Sequence, residues 1–135
     1  MRATASWHAL SAPALVAGAA GAVVAWIAVV DPNQPGHYPT CPFLQLTGHL
    51  CAGCGSLRAV HALAHGDVVT AAGLNLLAVA AVPLLVAIWL RWTAARLDGR
   101  SRPDPVRAMA IWALLAVTLV FWLVRNLPFG ASLAP

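Results

Sequence analysis

Three stretches of this chain run apolar with charge only at their edges, and the first two are separated by a polar segment crowded with proline, cysteine and histidine. The first apolar stretch covers residues 13–30, about 18 residues, near the lower limit for a helix that crosses a bilayer. Asp31-Pro32 ends it. A cleaved signal peptide is the competing reading of a block that follows Arg2 so closely. No small-x-small cleavage site precedes the DPNQPGHYP stretch, so a retained anchor is expected. The second span is predicted at about residues 71–92, with Pro83 near its middle and a kink expected there. The third is predicted at about 106–127, opening after Pro105 and closing at Pro128.

Between spans one and two, four prolines and a glycine in DPNQPGHYPTCP exclude a long helix and predict turning or extended chain. Helix resumes after the cysteines. Gly53 and Gly55 allow a tight turn around Cys54, and SLRAVHALAH then reads helical until Gly66-Asp67. That helix is too short to span, and is expected at the interface or dipping back under cover of the other helices. The expected fold is therefore an all-α membrane bundle of one domain, residues 1–135, with three spans and one short interfacial or re-entrant helix. Ala17 with Gly21 and Gly18 with Ala22 have the small-x-x-x-small spacing that lets helices approach, which predicts that span one packs within the protomer.

Composition agrees with a lipid setting, because 61% of residues are hydrophobic and only 9% are charged, against about a quarter in soluble domains. The net charge of +4 does not point to nucleic acid. All eight cations are Arg, and Arg91, Arg96, Arg100, Arg102 and Arg107 cluster between spans two and three. By the positive-inside rule that loop, residues 93–105, is cytoplasmic. The N-terminus is then cytoplasmic too, while the C-terminus and the cysteine segment, residues 31–70, face outward. The expected partner is the lipid bilayer, with a membrane protein or a second copy as further candidates.

All three cysteines and three of the five histidines fall between Cys41 and Asp67. Cys54, Arg58, His61 and His65 stand at i, i+4, i+7 and i+11 and would share one helical face, with Leu57, Val60 and Ala64 free to pack beside it. Three readings of the cysteines stand side by side. As a metal site, Cys41, Cys51 and Cys54 supply thiolates and His61 a fourth ligand, with His49 and His37 as substitutes, and zinc is the candidate ion. As a structural staple, Cys41 pairs with Cys51 or Cys54 in an oxidising compartment and leaves one thiol over. As a redox pair, Cys51 and Cys54 at a helix start would exchange disulfides, which is thiol oxidoreductase chemistry.

The run Cys41-Pro42-Phe43, Thr47-Gly48, Cys51-x-Gly53-Cys54-Gly55, Arg58-Ala59, His61-Ala62-Leu63, Gly66-Asp67 and Asn75 resembles the signature of the domain of unknown function 2752 family. Phe121-Trp122 and Arg125-Asn126-Leu127-Pro128 are similar to its C-terminal pattern. The resemblance implies a small bacterial integral membrane protein of the cytoplasmic membrane, and it supplies no substrate, cofactor or reaction. The chain departs from that pattern at Ala52, Leu57 and Leu76, none of which removes a thiol.

Further polar residues sit at the edges of apolar blocks. Arg58, Asn75, Arg125 and Asn126 share the outer depth and could form an anion or lipid-headgroup site, or Arg125 could snorkel to phosphate while Asn75 bonds a backbone group. Asp67 could pair with an arginine or cap the second span. No phosphate-binding loop, dinucleotide fingerprint, Ser/His/Asp set or paired carboxylates is present, and the chain holds no Glu. The leading expectation is a non-enzymatic accessory or interaction protein whose Cys/His element is stapled by a disulfide or a metal.

Overall fold

The computed structural model describes residues 3–98 and 106–134. Every regular element among them is helical. Helix α1 covers Ala3–Val29, α2 Pro42–Thr47, α3 Ser56–Ala64, α4 Val68–Leu97 and α5 Val106–Arg125, followed by a 3-10 turn over Pro128–Leu133. Two helices contain segments long and apolar enough to cross a membrane, Leu10–Val29 and Val68–Leu97, while the apolar part of α5, Met109–Arg125, is shorter. Most of the expected Arg-rich loop of residues 93–105, namely 99–105, lies outside the described residues. Its first part, 93–97, is not loop but the last turn of α4.

The helices run in alternating directions. At one end His61 of α3 meets the carbonyl of Ile27 near the close of α1. Toward the other end the Trp89 indole donates to the carbonyl of Pro13, at 3.1 Å. Trp89 therefore ties α4 to α1, in addition to any anchoring at a headgroup layer. Pro13 lies inside α1 and not at its start, because α1 begins ten residues before the apolar block does. The Trp92 ring lies under the Arg96 guanidinium one turn further along α4, 5.5 Å from its carbon.

Small side chains set the packing. Ala59 and Ala62 of α3 and Ala71 of α4 are buried against each other, with Leu63, Leu74, Ala78 and Val79 closing around them. The packed face of α3 is thus Ala59, Ala62 and Leu63; Leu57 and Ala64, expected there, point outward. Gly66 in a left-handed conformation ends α3, and the Asp67 amide returns to the Ala62 carbonyl. Asp67 caps α4 by accepting from the Thr70 amide and hydroxyl, so of its two expected roles it takes the cap.

Two expectations about the spans are corrected. The kink in α4 falls at Asn75 (φ −161°, ψ 95°), with no non-helical backbone at Pro83. Asn75 accepts the Ala78 amide at its Oδ1 and so acts as an N-cap for the remainder of the helix, Leu76–Leu97. Pro83 costs a hydrogen bond but leaves the torsions helical. The small-residue face of α1 packs on none of the described residues: a methyl group at Gly18 or Gly21 would meet no atom outside its own stretch of helix within 4 Å.

Gly130 is different. A methyl group there would collide with the Val124 backbone, because the terminal 3-10 turn folds directly onto the end of α5. Gly130→Ala is expected to lower unfolding stability in detergent by about 2 kcal/mol, as strain at a close backbone approach does, whereas Gly18→Ala should leave it unchanged or slightly raised. Thermal unfolding of the two variants side by side checks this.

Candidate functional site

The cysteine element is built from two turns, each ended by a glycine in the left-handed region, Gly48 and Gly55. Cys41 stands before Pro42 with extended backbone (φ −56°, ψ 118°), as a residue preceding proline favours. Pro42 opens α2, a short helix that the sequence reading did not anticipate, and Gly48 closes it in the left-handed region. The chain then turns through Cys51–Cys54, with the Cys54 amide donating to the Cys51 carbonyl. Gly55, at φ 83°, redirects the backbone into α3. Cys54 consequently precedes α3 and does not share its helical face with Arg58, His61 and His65.

These turns bring the three sulfurs together. Cys51 Sγ lies 3.4 Å from Cys41 Sγ and 3.2 Å from Cys54 Sγ, and all three lie within 4.8 Å of one another. All are free thiols; Cys54 is buried and the other two are half-buried. The Cys51 amide donates to Cys54 Sγ at 3.3 Å. The Leu44 backbone amide, followed by the Cys51 thiol, holds Cys41 below the ordinary thiol range. Burial, reinforced by the Cys51 thiol, pushes Cys54 up to about 11. The set therefore runs from an outer thiol that ionises readily to an inner one that resists ionisation.

Three side chains from the long helices hold the loop that carries the sulfurs. Asn75, 1% exposed, donates from Nδ2 toward the carbonyls of Ala52 and Cys54 and the hydroxyl of Ser56, at 2.9, 3.1 and 3.0 Å. Arg125, 2% exposed, donates from Nη1 toward the carbonyls of Cys51, Ala52 and Cys54. Asn126 makes a reciprocal pair with the backbone of Leu50, accepting its amide and donating to its carbonyl, both at 2.9 Å. An edge contact between Phe43 of α2 and Trp122 of α5 closes the outside of this joint. Nε and Nη2 of Arg125 are buried without a hydrogen-bond partner.

The residues singled out from sequence divide clearly. Cys41, Cys51 and Cys54 converge, and Asn75, Arg125 and Asn126 gather beneath them on the loop's backbone, turned inward. Arg58 is half-buried on α3 and takes no part in these bonds. His61 does not join the sulfurs: its Nδ1 is 2.8 Å from the Ile27 carbonyl, and its Nε2 faces Asp31 at 3.7 Å. His49 and His37 likewise bond local carbonyls, those of Thr47 and Asp31. Sequence reasoning missed Asn75 as a helix cap, although asparagine two residues after Gly73 in an apolar block is a usable signal for one.

Fold and site together define a small helical protein with two membrane-capable helices and a three-cysteine cluster clamped by buried polar side chains. Residues 41–89 match the family described as Protein of unknown function (DUF2752), a match that contains all three cysteines and Asn75 and ends before Arg125 and Asn126. No curated protein and no solved structure matches the chain.

Two outcomes are expected from this geometry. In the metal-free protein, thiol alkylation should label Cys41 at the lowest pH and Cys54 last, with Cys54 reactivity rising as pH approaches about 11. Asn75→Ala should cost about 3 kcal/mol, because buried carbonyls lose their donor and the helix loses its cap. Asn75→Asp should be no better despite retaining the cap, since it turns a carboxylate oxygen toward those carbonyls. Mass mapping of labelled cysteines and denaturant unfolding in detergent are the respective measurements.

Proposed function

We propose that the chain is a multi-pass membrane protein of accessory, non-enzymatic type, whose three cysteines bind a metal ion that staples an outward-facing cap to the bundle. The observation that carries this reading is the convergence of all three sulfurs within 4.8 Å of one another. A disulfide needs two of them. Sulfurs bound to one tetrahedral zinc lie about 3.8 Å apart, from bonds of about 2.3 Å, and the distances of 3.2 and 3.4 Å from Cys51 Sγ fall a little inside that value. The donor set of three soft sulfurs suits zinc or another thiolate-seeking ion. With His37, His49, His61 and His65 bonded to backbone carbonyls, a fourth position would be filled by water or by a group from a partner.

The membrane setting is supported by the outer faces of the helices. Leu85 and Ile88 on α4, Trp26 on α1, and Ile111, Trp112 and Val120 on α5 are all exposed. Only 11% of each crossing window is buried, which a water-soluble core helix would not tolerate. On this reading α5 is a third span, since its 20 residues extend about 30 Å. The C-terminus of α1, the start of α4 and the C-terminus of α5 gather at the cysteine element, as three alternating crossings require. Arg91 and Arg96, toward the opposite end of α4, then lie on the cytoplasmic side.

A second reading has its own support. Cys51 Sγ sits within 3.4 Å of both other sulfurs, the arrangement a thiol relay or disulfide exchange would use. One experiment separates the two. The intact mass of protein purified in detergent without reductant or chelator should show a metal adduct that is lost on denaturation, with three alkylatable thiols afterwards. Cys41→Ser, Cys51→Ser and Cys54→Ser should each remove the adduct. A mass two hydrogens short with one alkylatable thiol would contradict the metal reading and favour the disulfide.

A further inference from the structure

Arg125 carries a permanent charge into a place where none of the described carboxylates meets it. It is 2% exposed, one nitrogen serves loop carbonyls, and its Nε and Nη2 have no partner. The other described carboxylates are accounted for: Asp31 is bonded by Asn33 and faces His61, and Asp67 caps α4. Asp98 lies at the far end of α4, remote in sequence from Asn75 and the loop. The Phe121 ring, 5.0 Å from the guanidinium carbon, shields the charge but does not neutralise it. A buried cation without a counter-ion is strongly unfavourable, so a negative group should stand nearby in the working protein. The ionisable groups beside Arg125 are Cys51 and Cys54, whose carbonyls it already holds.

We infer that Arg125 is the built-in countercharge of the cysteine site and that it selects a divalent thiolate-binding cation. The inference rests on the reading of the cysteines as a metal site. Three thiolates carry three negative charges; a divalent ion reduces them to one, and the Arg125 guanidinium cancels that one. A monovalent ion would leave one negative charge uncompensated, and a trivalent centre would leave the arginine unpaired. Binding of a divalent cation breaks three S–H bonds, forms three metal–sulfur bonds and releases three protons to the buffer, with no change of oxidation state. Arg125 acts through the sulfurs and is a positioning residue, held against the loop by the bonds of Nη1 to its carbonyls.

Cadmium ion and arsenite distinguish charge from scaffolding, because both bind three thiols but leave different charges. Cadmium gives a complex of charge −1. Arsenous acid exchanges its three hydroxyls for three sulfurs, releases three waters and gives a neutral complex. In the full chain in detergent, Arg125→Gln removes both a clamp and a charge, and should weaken cadmium binding at least about tenfold more than it weakens arsenite binding. Equal loss of both would make Arg125 only a scaffold and overturn the inference, leaving the metal reading intact. Should the Gln variant fail to fold, Arg125→Lys decides the question. It keeps the charge without the fork and should hold cadmium within about threefold of the wild type. A Lys variant that keeps arsenite but loses cadmium tenfold would contradict the inference. A wild-type chain that binds neither probe would overturn both the inference and the metal reading.

Discussion

The structure depends on satisfying the backbone carbonyls of Cys51, Ala52 and Cys54. A loop that turns sharply enough to gather three sulfurs points its carbonyls in one direction, where they cannot join a helix or sheet. Here they point down onto the bundle and are met by Asn75 and Arg125, both almost wholly buried. Each of these side chains costs free energy to bury, and each recovers it only if the loop keeps this one shape. The same bonds join α4 and α5 to a segment that would otherwise hang between α1 and α3. Apolar packing near the loop is slight, consisting mainly of alanines from α3 and α4. The polar joint therefore does more to fix the loop than hydrophobic burial does.

That joint explains the form of α4. Asn75 abandons helical torsions because its amide is used twice, the nitrogen for the cysteine loop and the oxygen for the helix that follows. A break in a membrane-capable helix is tolerable where its freed groups find partners in protein, as they do under the loop. At the end of α5, Arg125 and Asn126 are adjacent in sequence yet divide the work, Arg125 holding the Cys51–Cys54 turn and Asn126 holding Leu50 just before it. Gly130 then lets the terminal 3-10 turn lie against the same helix end.

Much of this was legible in the chain itself. Apolar run length located α1, α4 and α5, and the Gly66-Asp67 pair marked the boundary between α3 and α4, because these signals are local. The convergence of Cys41 with Cys51 and Cys54 was a reasonable expectation from their crowding. Pro42 and Gly48 bracket α2 in the usual way, but a six-residue helix has too little periodicity to declare itself. The helical-face argument for His61 failed to foresee its neighbours, since spacing places a side chain on a face without saying what that face meets. It meets the end of α1 and Asp31, while the sulfurs lie ahead of α3 around the turn at Gly55. For the same reason the inward aim of Asn75 and Arg125 could not be read from their depth: whether such a residue reaches for phosphate or for backbone depends on a loop distant in sequence.

The central claim is that this polar joint presents three sulfurs as one ligand set. X-ray absorption at the zinc edge, on full-length protein loaded with one equivalent of zinc in detergent, counts them directly. The account predicts a first shell of three sulfurs at about 2.3 Å with at most one lighter oxygen or nitrogen neighbour. A shell of two sulfurs or fewer, or one dominated by nitrogen, would contradict it.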